Sequence, residues 1–225
     1  MLIKILSIFL FLFFSAFVID HNNHSLDENH IIGAEYFSTD PNLKLVYNSS
    51  FGEAYSKTTK DGGNFILDLS NDDFFFVQTI FVSNDTIYLT KLDQEVDVFM
   101  FISAGSTVTY GKPYLRFPFP LKINSEWNWT GVELIDGENP DTISVSGIVL
   151  GEETVQSEAG NFECIKFQID IIKKKSGTHT KFYEWRTPGI GLVKLEAYID
   201  SKGFIGTVMD LLGYDEMKFE LKKIG

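Results

Sequence analysis

One cysteine, Cys164, occurs in the chain, so no internal disulfide can form and the fold must stand on packing alone. No cysteine follows the apolar N-terminal run, which closes the lipid-attachment route of bacterial lipoproteins. Histidine is almost as scarce. Three of the four, His21, His24 and His30, share a polar stretch near the N-terminus, and only His179 lies in the body of the chain. A Ser-His or Cys-His centre would therefore have to recruit His179. The patterns H-E-x-x-H, G-x-S-x-G, the P-loop and G-x-G-x-x-G are all missing. Positive charge is the minority sign, with 19 Lys and Arg against 31 Asp and Glu, and no basic stripe opposes the net charge of −12. Such a field repels phosphate backbones and anionic lipid surfaces, which excludes nucleic acid as a partner. The longest basic run, Lys173 to Lys175, precedes Ser176-Gly177 and reads as a solvated hairpin end. Helical periodicity is confined to one short candidate, Gly206 to Leu212.

What is present begins with Met1 to Val18, where Lys4 is followed by the unbroken apolar run Ile5 to Val18. About 14 residues at a helical rise cover roughly 21 Å, short of the ~30 Å hydrocarbon core, and the polar segment Asp20 to His30 follows at once. Residues 1–18 therefore read as an export signal, and residues 19–34 as a polar linker. Residues 35–225 then form one β domain. The expected location is the periplasm or the exterior, with the chain held as an N-terminal anchor where the signal escapes cleavage. After cleavage the chain is not expected to be an integral membrane protein.

From Leu43 onward the apolar pattern has period two, broken by turn residues every eight to twelve positions. The clearest strand is Phe162 to Ile171, with Ile165, Phe167, Ile169 and Ile171 on one face and Lys166, Gln168 and Asp170 on the other. Val193 to Ile199, Phe65 to Leu69 and Met217 to Leu221 repeat the theme. Asp61-Gly62-Gly63, Ser83-Asn84-Asp85, Pro188-Gly189 and Asp200 to Gly203 supply turns. Pro113 to Pro120, with three prolines, is expected to avoid a central strand and to mark a seam between two halves. The fold class that follows is all-β and antiparallel: a curved sheet, half-barrel or sandwich-like, built from hairpins with little helix.

Carboxylates are abundant, and Glu152, Glu153, Glu158, Glu163 and Glu184 are candidates for a glycosidase-like pair, though any acidic β protein places carboxylates on neighbouring strands. Asp136 to Asp141 offers oxygen ligands without EF-hand spacing, and reads as a solvated turn. No metal site and no cofactor is expected. Cys164 reads as a small buried hydrophobe. Aromatic residues are the main excess, at 15%. In Phe74-Phe75-Phe76 the side chains must point to both faces of a strand, so both faces are locally covered or one lines a groove. The ligand-binding candidates are Phe117, Phe119, Trp127, Trp129 and Trp185, and the expected partner is an apolar small molecule or an envelope protein.

Three phrases occur in order: FPFPLKINSEWNW from Phe117 to Trp129, GEETVQSEAGNFECIK from Gly151 to Lys166, and YEWRTPGIGLVK from Tyr183 to Lys194. Together they resemble exported bacterial proteins of the domain-of-unknown-function 3108 type and their TapB-like relatives, over about Phe117 to Ile199. The resemblance implies an antiparallel β domain of the cell envelope and brings no activity with it. The expected function is a non-enzymatic envelope binding or structural module with an apolar, lipid-like ligand groove. The alternative is a secreted hydrolase using paired carboxylates.

Overall fold

The computed structural model describes residues 30–99, 102–136, 139–200 and 216–225. Twelve strands follow one short 3-10 turn, Ala34–Tyr36: β1 Lys44–Ser49, β2 Gly52–Asp61, β3 Asn64–Ser70, β4 Phe74–Ser83, β5 Thr86–Phe99 and β6 Ile102–Pro118. The second half comprises β7 Glu126–Ile135, β8 Asp141–Ser157, β9 Gly160–Lys173, β10 His179–Thr187, β11 Gly191–Asp200 and β12 Glu216–Ile224. Every strand pairs antiparallel with its sequence neighbour, and β1 also pairs with β12 through Tyr47–Leu221 and Ser49–Phe219. The sheet is therefore a closed up-and-down barrel, not the half-barrel or sandwich expected from the pattern. Alternation places one face inward but carries no information on whether the first and last strands meet. Register shifts at Val46/Tyr47, Thr79/Ile80, Val149/Gly151 and Trp185/Arg186 add the local bending that closure demands.

The strand faces agree with the period-two reading. Ile165, Phe167 and Ile169 are buried, while Lys166, Gln168 and Asp170 alternate with them on the outer face. Two-residue turns join β1 to β2, β2 to β3, β4 to β5 and β8 to β9. Asn84 and Asp85 both take positive φ, 49° and 61°, the primed geometry that follows the right-handed twist of β4 and β5. Gly189, at φ 77°, occupies the position after Pro188 that a type II turn requires. The candidate helix at Gly206 to Leu212, the turn at Asp200 to Gly203, and His21 and His24 fall wholly or largely outside the described residues.

Pro113 and Pro118 do lie in a strand, contrary to expectation, and the reason is local. The second half of β6 has registered partners on β5 only, because β6 meets β7 through just Val108–Ile135, Thr109–Leu134 and Tyr110–Glu133. A proline's missing N–H removes nothing from a ladder that is not there.

A barrel of twelve strands is wider than rows of aliphatic side chains can fill. Aromatic rings take up the space: Phe117 packs against Phe119, Trp127 and Phe167, and Tyr114 against Trp129. The chain before β1 completes the filling. Ile32 bridges to Leu121 and is fully buried, and Phe37 packs on Phe117. Trp127 lies over Gly147, its register partner on β8, and a methyl group there would overlap the indole. Gly147→Ala is accordingly expected to lower stability by about 1–3 kcal/mol through overpacking, read as a lower denaturant midpoint with an unchanged slope.

Candidate functional site

Strand β10 carries the chemistry. Its alternation puts Phe182, Glu184 and Arg186 on the inner face, opposite Ile169, Phe167 and Ile165 of β9, and puts Tyr183 and Trp185 outside. Glu184 is fully buried. Its Oε1 accepts a hydrogen bond from Arg116 of β6, and its Oε2 accepts one from Arg186 Nε at 2.7 Å. The side chains of Arg116 and Arg186 are only 12% and 9% exposed, so one carboxylate is clasped between two guanidinium groups inside the barrel. Burial alone would raise the Glu184 pKa. The two positive charges and their hydrogen bonds outweigh it and hold the carboxyl below its ordinary value. For Arg186 the balance falls the other way: desolvation leads, and, with repulsion from Arg116, outweighs Glu184 and lowers its pKa.

The guanidinium of Arg186 stacks over Phe37 and Phe117 at 4.6 and 5.1 Å, and Arg116 lies over Phe117 at 5.0 Å. Beside Arg186 a cavity of about 90 Å³ opens between β1–β4 and the β10–β11 turn, walled by Leu67, Leu69, Phe76 and Leu192, with Thr58 and Gln78 among its polar lining. Tyr47, also at its wall, donates its hydroxyl to the Leu192 carbonyl at 2.8 Å.

Of the aromatic candidates, Phe117, Phe119, Trp127 and Trp129 come together in one buried cluster, filled by one another rather than lining this cavity. Trp185, at an outer-register position of β10, belongs instead to a second buried cluster that includes Val155, Cys164 and Val193. Lys166 and Lys194, its register partners on β9 and β11, sandwich its ring at 4.5 and 4.6 Å, and its indole N–H donates to Glu153. These neighbours cover it so well that only 4% of Trp185 is exposed.

The remaining candidates are dispersed. Cys164 is buried, and burial, then Glu163 and Glu153, push its thiol pKa up to about 12, which leaves it protonated and unreactive. His179 bonds Asp170 at 2.8 Å on the outer face. At the β9–β10 hairpin end, Lys173 pairs with Glu133 at 2.7 Å and the Lys175 backbone N–H donates to Asp141. Among the described residues no group of three His, Cys, Asp or Glu could hold a metal ion. The carboxylates with a resolved shift, Glu53, Asp93, Glu184 and Glu196, all shift downward, toward the ionised form. Sequence reasoning passed over Arg116 and Arg186. The signal for the second was there: Glu184 and Arg186 are two apart on a strand whose inward register begins at Phe182.

The third quoted phrase, YEWRTPGIGLVK, thus holds the carboxylate, one of its arginines and the turn beside the cavity. Residues 132–211 match the family described as DUF3108-like. The DUF3108-like segment runs from the second half of β7 past the end of β11, and so includes Glu184 and Arg186 while Arg116 lies outside it. No curated protein matches the chain. Solved structures similar to it include a Bacteroides fragilis protein described as exported and of YmcC-like fold, at 15% identity, covering 84% of this chain and 98% of that one with a TM-score of 0.46. The hypothetical lipoprotein YmcC of Escherichia coli is 14% identical over 83% of this chain and 89% of its own, at a TM-score of 0.44. A Parabacteroides distasonis protein described as a lipoprotein is 13% identical over 84% and 98%, at 0.43. No helix among the described residues is long and apolar enough to cross a membrane.

Proposed function

We propose that this chain is an exported envelope barrel that acts without catalysis, as a binding or structural module holding an apolar small molecule or docking an envelope protein. The observation that carries this reading is the state of the interior charge. Glycoside hydrolysis needs one carboxyl group kept protonated near neutrality beside a second that is ionised. Glu184, the fully buried candidate, is instead clamped in its ionised form by two arginines. The outward rows support a water-filled compartment as the setting. Lys166, Gln168, Asp170, Lys181, Lys194, Glu196, Lys218 and Glu220 occupy outer-face register positions, whereas a barrel in lipid presents apolar side chains there.

Native mass spectrometry of the mature domain, released from cells under mild conditions, tests the reading. The expected spectrum contains an adduct that moves into organic solvent on extraction. Steady turnover of nitrophenyl glycosides by the same preparation, lost on Glu152→Gln, Glu153→Gln or Glu163→Gln, would favour the hydrolase instead.

A further inference from the structure

The barrel interior is not electrically neutral at β10. Two guanidinium groups face one carboxylate, which leaves one unit of positive charge. Glu184 attracts the charge on Arg186 and Arg116 repels it. Asp68 contributes to the cavity wall from a strand position that alternates with Leu67 and Leu69; its Oδ2 pairs with Lys57 at 3.2 Å, and its Oδ1 is buried without a hydrogen-bond partner. An uncompensated buried charge is costly unless something of opposite sign comes to it.

Arg186 has donors to spare. Its Nε is bonded to Glu184, and its Nη1 reaches the Tyr36 carbonyl only at 3.5 Å, the outer limit of a hydrogen bond. Its Nη2 has no partner among the described residues. The side chain is nine-tenths buried, and it forms part of the cavity wall.

We propose that this cavity is a carboxylate site: Arg186 receives the carboxylate of a short-chain monocarboxylic acid, and Leu67, Leu69, Phe76 and Leu192 enclose its alkyl tail. The proposal rests on the reading of the barrel as a binding module and names its ligand class. A planar carboxylate suits the guanidinium fork, and a single negative charge matches the single positive excess. Phosphate, as a dianion, would overshoot that charge. Size sets the tail. A dry cavity of about 150 Å³ accommodates the six carbons of benzene, so 90 Å³ takes about four non-hydrogen atoms of such an acid, its carboxylate and first carbon, and no long acyl chain in full; butyrate extends the tail toward the mouth.

The mature domain is titrated with butyrate, with butan-1-ol as the uncharged isostere and sodium chloride at matched ionic strength. Thermal melts and the 13C shift of carboxyl-labelled butyrate report binding. Butyrate is expected to raise Tm and to bind at least tenfold more tightly than butan-1-ol. Leu69→Phe, which fills the cavity and leaves Arg116, Glu184 and Arg186 untouched, is expected to weaken butyrate at least tenfold while the variant melts cooperatively. Arg186→Met is expected to abolish the preference for butyrate over butan-1-ol. Equal binding of the acid and the alcohol overturns the carboxylate site. So does a Tm shift matched by sodium chloride, or butyrate binding indifferent to Leu69→Phe. An extractable neutral adduct in the native mass spectrum, without butyrate preference, overturns this inference alone and sustains the broader reading.

Discussion

Glu184→Ala is expected to destabilise the barrel by about 3–5 kcal/mol, because it strands two buried guanidinium groups without their counter-charge. Denaturant titration at pH 7 measures this, and a loss below about 1 kcal/mol would mean that Arg116 and Arg186 find solvent or other partners. Replacing all three charges together by methionine is expected to restore most of the stability, since that change removes the desolvation cost along with the attraction. The pH dependence carries the same signature. Glu184 has a folded-state pKa held below the value it takes in the unfolded chain. Its contribution is complete above the unfolded value, near 4.5, and is lost as pH falls toward and through the lower folded value. Parent Tm is therefore expected to drop steeply on acidification below pH about 4.5, and Glu184→Gln is expected to flatten that part of the curve.

Trp127→Ala is expected to cost about 3–5 kcal/mol. The indole is 5% exposed, lies over Gly147, and packs on Phe117 and Phe167. Its removal leaves a hole that β8 cannot fill, because a glycine stands opposite. Trp127→Phe is expected to lose roughly half as much. A melt of Trp127→Ala indistinguishable from the parent would contradict the packing described for this cluster.

How far the sequence speaks for the fold is shown by two strands. In β9, Ile165, Phe167 and Ile169 alternate with Lys166, Gln168 and Asp170, and the burial follows the letter pattern residue by residue. In β10 the letters mislead. Trp185, the largest apolar residue, faces outward beneath two lysines, while Glu184 and Arg186 face inward. Polarity assigns a face only when each side chain meets its environment alone; here charges are neutralised by one another and an indole is shielded by lysine stems. Closure was hidden for a different reason. The pairing of β1 with β12 joins residues at opposite ends of the chain, and no local period encodes it. Arg116 is likewise brought to Glu184 by the wrapping of the sheet across 68 positions, not by any spacing.

The proline-bearing half of β6 has one further consequence. Every other junction between neighbouring strands carries at least five registered pairs among the described residues, against three between β6 and β7. Between Gly111 and Pro118 the side of β6 toward β7 has no registered partner, the kind of place where another copy could zip on and start a fibre. Pro113 and Pro118 deny such a visitor two of its N–H groups, and Lys112, at the same rim, adds a charge that a stacking copy would have to bury. Residues that break a ladder thus guard the thinnest junction among the described strands of this sheet.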